Sequence, residues 1–234
     1  MTDPTPYRRP YTQTQPEYLY PPYKSTAKRA PTQPLVMPPQ TISEVTGPLF
    51  GHEDVKPEEA DLTAQHAAAP IGERIWVSGR VLDESGRPVP DALVEIWQAN
   101  AAGRYRHATD DHDAPLDPNF TGCGRVLTAG DGRYAFKTIK PGAYPWRNHY
   151  NAWRPAHIHL SIFGRGFMQR LVTQFYFPGD PLLPYDPMFM SVPDERARLN
   201  LIAQFDWEHT VPQHAIAYRF DIVLRGRDGA AIGI

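Results

Sequence analysis

From Ile71 onward the chain is written in short apolar-rich runs separated by turn-forming residues, a texture that predicts β-strands. Ile75–Leu82 is the first run, closed by the turn Asp83-Glu84-Ser85-Gly86. Ala92–Gln98 follows, with Leu93, Val94, Ile96 and Trp97. Arg133–Ile139 comes after the turn Gly130-Asp131-Gly132, and Ala156–Phe163, Gln169–Phe177 and Ala215–Leu224 complete the set. Strands at this spacing predict a mainly β protein built on an antiparallel β-sandwich, with long loops and few short helices. One helix is predicted from Pro57 to Ala69. A second is predicted from Asp194 to about Ala203, just after Pro193. Ala108–Arg125 reads as a long, strand-poor loop, the kind of segment that often carries function. No fixed-period repeat is present.

Composition adds an N-terminal region of different character. Proline occurs 26 times, and eleven of these lie in the first 48 residues, beside Tyr7, Tyr11, Tyr18, Tyr20 and Tyr23. Proline removes backbone donors and opposes helix, while the tyrosines could bury considerable area. The expected organisation is therefore an extended Pro/Tyr-rich arm over 1–50, wrapping its own domain or a partner subunit, and a single catalytic domain over 51–234. The formal net charge of -2 and the absence of a basic run give no electrostatic case for nucleic acid or an anionic membrane. Cys123 is the sole cysteine, so no intrachain disulfide can form, which fits a reducing compartment. The start, Met1 to Pro6, has no basic stretch leading into an apolar one, and no apolar run approaches the roughly 18–20 residues that span a bilayer. A cytoplasmic location is expected.

The candidate chemistry lies in Arg154-Pro155-Ala156-His157-Ile158-His159. Strand side chains alternate, so His157 and His159 share one face while Ile158, Leu160 and Ile162 take the apolar one. Two convergent imidazoles suggest a metal site, although a pair of ordinary half-buried histidines is an equally open reading at this point. The stretch Leu160–Arg165 contains no carboxylate, which disfavours a cupin-like or two-His-one-carboxylate site with its acid close by. Tyr144 lies upstream in Pro141–Arg147, and Tyr105 lies in Gly103–His107. Phenolate is a hard anionic donor, and two phenolates with two imidazoles would favour Fe(III) over Fe(II). Packing is the competing reading for each tyrosine, and spacing alone does not bring Tyr105 to Tyr144.

These residues carry a resemblance. Val77, Gly79, Val81, Gly86, Val89, Val94, Glu95, Ile96, Gly103 and Tyr105 match the signature of the intradiol ring-cleaving dioxygenases, non-haem Fe(III) enzymes of aromatic catabolism. The Arg-Pro-Ala-His-Ile-His run matches that family's iron motif. Trp97–His107, Pro145–Asn148, Tyr218–Gly226 and the arm segment Pro22–Thr26 resemble more narrowly the iron-binding β chains of its protocatechuate-cleaving branch. The tail Asp228–Ile234 departs from the aromatic-acidic ending associated with such chains.

The resemblance implies a ferric ion held by Tyr105, Tyr144, His157 and His159, with Tyr144 the ligand that leaves when substrate binds. It implies O2-dependent cleavage of protocatechuate (3,4-dihydroxybenzoate) to 3-carboxy-cis,cis-muconate in the β-ketoadipate pathway. It also implies an αβ hetero-oligomer with an α chain of similar fold that lacks the iron ligands. Arg154 would be catalytic, stabilising developing negative charge. Tyr23, Trp146 and Gln174 would contact the substrate, Tyr23 as a donor to its carboxylate, and Trp97 would pack beneath the site. His107, His112 and His149 read as loop or interface residues. The alternatives are a catechol or hydroxyquinol 1,2-dioxygenase, against which the Pro/Tyr arm argues, and a non-catalytic transthyretin-like β-sandwich module, which would lack the Gly-Arg-Tyr and His-Ile-His elements.

Overall fold

The computed structural model describes residues 12–34, 54–150, 153–163, 170–224 and 227–231. Tyr7, Tyr11 and the arm segment 35–50 lie outside the described residues. Among the described residues the strands are β1 (Arg74–Leu82), β2 (Leu93–Trp97), β3 (Cys123–Leu127), β4 (Arg133–Ile139), β5 (Tyr144–Pro145), β6 (Trp153–Arg154), β7 (His157–Phe163), β8 (Arg170–Tyr176), β9 (Gln204–Val211), β10 (Ala215–Arg219) and β11 (Ile222–Val223). The helices are short: α1 (Thr26–Arg29), α2 (Pro187–Met190) and α3 (Glu195–Leu199).

Two sheets face each other. One has β1 at its centre, flanked by β4 on one side and by β10 and β11 on the other, with β9 as the outer strand next to β10. The second runs β3-β2-β7-β8, antiparallel throughout. The expected mainly β sandwich is observed, with one refinement. β1 pairs in parallel with β10 and β11, which the long intervening connection permits. Ile75, Val77 and Val81 of β1 and Phe136 of β4 meet Val94 and Ile96 of β2 and Ile158, Leu160 and Ile162 of β7 in one core. Each of these side chains, fully buried, contributes about 1.5–3 kcal/mol relative to exposure. A satellite cluster of Tyr176, Leu183, Phe189, Val192, Ala197 and Leu201 seats the connection that follows β8.

Four sequence expectations need correction. The helix expected over Pro57–Ala69 contracts to a 3₁₀ turn at Pro57–Ala60, after which Leu62 leaves the turn to enter the core. The helix expected from Asp194 to Ala203 is Glu195–Leu199, capped by Asp194 accepting from the Ala197 amide. β3 occupies the end of the supposed loop. Its run, Cys123-Gly124-Arg125-Val126-Leu127, is short and interrupted by Gly124 and Arg125, but it pairs with β2 in unbroken register, and Leu62 packs over Gly124. β9 was not expected at all, because an edge strand exposed along nearly its whole length shows no inward face to read.

The described part of the arm docks on the domain. The Lys24 amide donates to the Asn148 carbonyl, Gln15 reaches the Ala230 carbonyl, and Tyr23 and Thr26 are buried.

Candidate metal centre

β7 shows the alternation its sequence demands. Ile158, Leu160 and Ile162 are sealed in the core, and His157 and His159 stand on the other face of the sheet. Across the ladder His159 faces Trp97 of β2 on one side and Gln174 of β8 on the other, and His157 faces Tyr176. Trp97 lies parallel to the His159 ring at 4.9 Å, the packing role expected of it.

The Arg154–His159 run orients its own first imidazole. Pro155 has no amide proton, and its carbonyl accepts from His157 Nδ1 at 2.7 Å. That fixes the tautomer, because a carbonyl can only accept, and leaves His157 Nε2 unprotonated, with its lone pair turned toward Arg154 and the tyrosines. The Ala156 amide donates to Asp180, which anchors the start of β7.

Tyr144 arrives on the two-residue ladder β5–β6, directly opposite Arg154. Tyr105 arrives on a tight loop organised by Asn100, whose Oδ1 accepts from the Ala102 and Arg104 amides, both at 2.9 Å. The Asn100 carbonyl takes the amides of Gly103 and Gly142, which ties the two tyrosine-bearing loops together. Gly103 makes that approach possible. It has φ +77°, and a Cβ there would lie 2.1 Å from the Ala143 carbonyl oxygen. The Tyr105 amide is held by Asp110.

The structure thus brings together all four residues singled out as ligands. Tyr144 Oη lies 3.2 Å from His157 Nε2, and His157 Nε2 lies 3.2 Å from His159 Nε2. The Tyr105 and Tyr144 rings meet edge-on at 5.3 Å. Burial, reinforced by the Arg154 charge, holds His157 well below the usual imidazole range and His159 at about 3, so both rings are neutral donors. Burial, with Tyr144 close by, pushes the Tyr105 phenol well above its usual range. Its hydroxyl is buried and finds no hydrogen-bond partner among the described residues. An orphaned phenol beside two neutral imidazoles whose Nε2 atoms lie 3.2 Å apart is what a hard cation with mixed N/O preference would satisfy, and it would supply the charge that makes phenol ionisation favourable. The donor set therefore fits non-haem iron. Among the described residues no cluster of three or more His, Cys, Asp and Glu offers a competing metal site.

Arg154 is buried behind this group. Its Nη1 faces Tyr144 Oη at 3.2 Å and His157 Nε2 at 2.9 Å. Its Nε and Nη2 grip Asp186, whose carboxylate has 0% exposure. Burial opposes the guanidinium charge, but Asp186, with Tyr144 and Tyr176, outweighs it and holds Arg154 more basic than usual. On the open side Trp146 stands over the Arg154 guanidinium at 5.4 Å and against Tyr23 at 4.6 Å, so arm and domain share one aromatic wall. Gln174 is buried beside His159. His112 packs edge-on to Trp153 and bonds the Gly103 carbonyl, a loop role as expected.

Sequence reasoning missed Tyr176 and Asp186. Tyr176 was within reach, two residues beyond Gln174 on one strand face. Asp186 gave no sign beyond its place as a helix cap ahead of Pro187, where it accepts from the Met188 amide. A groove of about 1250 Å³ lined by Trp76, Arg80, Arg125, Asp206 and Arg219 lies elsewhere, along β1, β4 and β9, and holds none of the candidate ligands.

Comparison with known proteins gives the family of this chain. A family model described as Dioxygenase matches residues 45–226. The chain belongs to the intradiol ring-cleavage dioxygenase family. A second model, for the N-terminal region of the protocatechuate 3,4-dioxygenase beta subunit, matches residues 7–41, within the arm. This dioxygenase is similar to the protocatechuate 3,4-dioxygenase beta chain of Burkholderia cepacia, with 58% identity over 215 residues that cover 91% of each chain. It is similar at 32% identity to the alpha chain from the same organism, covering 81% of this chain and 94% of that one. Among solved structures it resembles the dioxygenase domain of a carbohydrate-binding fusion protein from Streptomyces, with TM-score 0.52 and 26% identity over 77% of this chain and 94% of that one. The chain is an enzyme, and its reaction is intradiol ring cleavage. The binding-module alternative falls with that result. No helix among the described residues is long and apolar enough to cross a membrane.

Proposed function

We propose that this chain carries the catalytic centre of a protocatechuate 3,4-dioxygenase, with Tyr105, Tyr144, His157 and His159 holding a non-haem ferric ion. The observation that carries the reading is the convergence of two phenols and two neutral imidazoles around the unpartnered, buried Tyr105 hydroxyl. The substrate is protocatechuate, cleaved with O2 to 3-carboxy-cis,cis-muconate, and the similarity to a protocatechuate 3,4-dioxygenase beta chain supports that choice. When bound, ferric iron supplies a Lewis-acidic centre for the two catechol oxygens and activates the ring toward O2.

The chain's own residues do the rest. As the phenolate that bound iron would favour, Tyr144 Oη would take a proton from one catechol hydroxyl and become a neutral phenol, with Arg154 Nη1, 3.2 Å away, holding that oxygen in place. Arg154 keeps a fixed positive charge in a dry setting, where it counts most against an oxyanion forming on the substrate. Trp146 and Tyr23 form the wall along which the aromatic ring lies, and the Tyr23 hydroxyl donates to the substrate carboxylate. Gln174 offers its amide from the far side of His159. The 1–50 arm ties the 51–234 catalytic domain to its partner. Similarity to both beta and alpha chains supports assembly as an αβ hetero-oligomer with an α chain of like fold. The enzyme works in the cytoplasm.

The test is the visible spectrum of the aerobically purified protein, coexpressed with its α chain. A broad tyrosinate-to-Fe(III) charge-transfer band is expected, with one iron per β chain and protocatechuate-dependent O2 uptake. A colourless protein that holds zinc or copper would overturn the reading.

A further inference from the structure

Behind Arg154 lies a buried group, two of whose members, Asp186 and Tyr176, have no part in the function proposed above. Asp186, Tyr176 and Gln174 have 0%, 0% and 3% exposure. Both carboxylate oxygens of Asp186 accept from the Arg154 guanidinium, which has only donors to offer. Tyr176 Oη sits 2.7 Å from Asp186 Oδ2 and must therefore donate its single proton there. The phenol oxygen is left as an acceptor, and two donors use it: Arg154 Nη2 at 3.3 Å and the Gln174 amide nitrogen.

Two consequences follow. Asp186 consumes Arg154 Nε and Nη2 in a fork, so only Nη1 remains to face Tyr144 and His157. Gln174 has its amide orientation imposed as well. With its nitrogen bound to a phenol that has no proton to give, its Oε1 is turned away. That oxygen is buried and without a partner among the described residues. A buried acceptor left open beside His159 asks for a donor that the described residues do not provide. The hydroxyl of a bound catechol is such a donor.

We propose that Asp186 and Tyr176 are positioning residues, Asp186 acting through Arg154 and Tyr176, and Tyr176 acting through Gln174. Asp186 sets the proton direction of Tyr176, Tyr176 sets the amide orientation of Gln174, and Gln174 then presents an acceptor to a substrate hydroxyl. The relay rests on the ferric catechol reading above. Its central substitution is Tyr176→Phe, which deletes one oxygen and keeps the ring in its packing against Phe189.

In the coexpressed holoenzyme, Tyr176→Phe is expected to lower kcat about tenfold, the scale of one buried hydrogen bond aimed at the reacting group. Iron content, the visible band of the resting enzyme and the KM for protocatechuate should stay within about twofold, which separates positioning from loss of fold. In a Gln174→Ala background the same change should cost less than about twofold, because the residue through which it acts is gone. Asp186→Asn keeps the helix cap and is expected to lower kcat by a larger factor, since it also loosens the Arg154 fork. If that variant fails to fold, the Tyr176 cycle still decides. A red holoenzyme in which Tyr176→Phe turns over normally, or costs a full tenfold without Gln174, overturns the relay alone. A colourless unsubstituted holoenzyme overturns the relay together with the iron reading.

Discussion

Gly103 sits where the two tyrosine-bearing loops touch, and replacing it with alanine should damage stability and site together. Gly103 and Gly86 both have φ +77°, so an alanine at either position bears the same left-handed strain of roughly 1–2 kcal/mol. Their surroundings differ. A Cβ at Gly86 meets nothing within 4 Å, whereas one at Gly103 lies 2.1 Å from Ala143 O and 3.2 Å from Tyr144 Cβ. Ordinary contact begins at 3.4 Å, so the 142–144 segment must retreat by about 1.3 Å, and that segment is backbone rather than a pliant side chain. The retreat strains the Gly142 amide bond to the Asn100 carbonyl and draws Tyr144 from Tyr105. A strained buried hydrogen bond with the repacking around it adds about 2–3 kcal/mol. For a domain of this size, each kcal/mol lowers the melting temperature by about 2–4 °C. Gly103→Ala should therefore melt well below Gly86→Ala, by roughly 4–12 °C, and shift or weaken the visible band that Gly86→Ala leaves intact. Thermal unfolding and absorption spectra of the two coexpressed variants measure both effects. Equal melting temperatures with identical spectra would refute the argument that Gly103 is required by the loop contact.

Three further expectations use other parts of the molecule. If Tyr144 is an iron ligand as proposed, Tyr144→Phe removes one oxygen donor, so the visible band should shift and substrate chelation slow while most iron is retained. An unchanged spectrum excludes Tyr144 from the metal. Tyr134→Phe leaves the Phe220 carbonyl without the buried phenol that donates to it at 2.6 Å, and should cost about 1–3 kcal/mol in denaturant unfolding with activity kept. Glu59 is held below its ordinary value of 4.5, first by its hydrogen bond from Arg125, so it binds protons less readily folded than unfolded. Its contribution is therefore present above pH 4.5 and fades as pH falls through the depressed folded value. Because both partners are partly exposed, that contribution stays below about 1 kcal/mol. Glu59→Gln should lower stability at pH 7 by an amount that shrinks as pH falls below 4.5, and a stability difference that stays constant or grows as the pH falls would contradict this assignment.

Much of the sheet structure was legible along the chain. β1, β2, β4, β7, β8 and β10 declare themselves because alternation and turn residues are local properties, fixed by the strand period and by which residues tolerate a turn. β3 and β9 do not, since one is made a strand by its register with β2 and the other by pairing with β10. Helix lengths also escaped, because helices of four and five residues are ended by what they dock against rather than by propensity.

The candidate site divides in the same way. That His157 and His159 share a face, with Ile158 buried behind them, was settled by three consecutive residues. The likeness of Tyr105 and Tyr144 to family positions was legible too, but their meeting was not, since 39 positions separate them and contact depends on Gly103 slotting under Ala143. Tyr176 could have been read as a neighbour of Gln174. The partnership of Asp186 with Arg154 could not, because it joins β6 to the cap of α2 across 32 positions. The sequence alone determined which side chains face together along a single strand, because a strand's geometry repeats every two residues. Tertiary structure alone decided which loops close over that face, because their contacts depend on where distant backbone is brought by the packing of the two sheets.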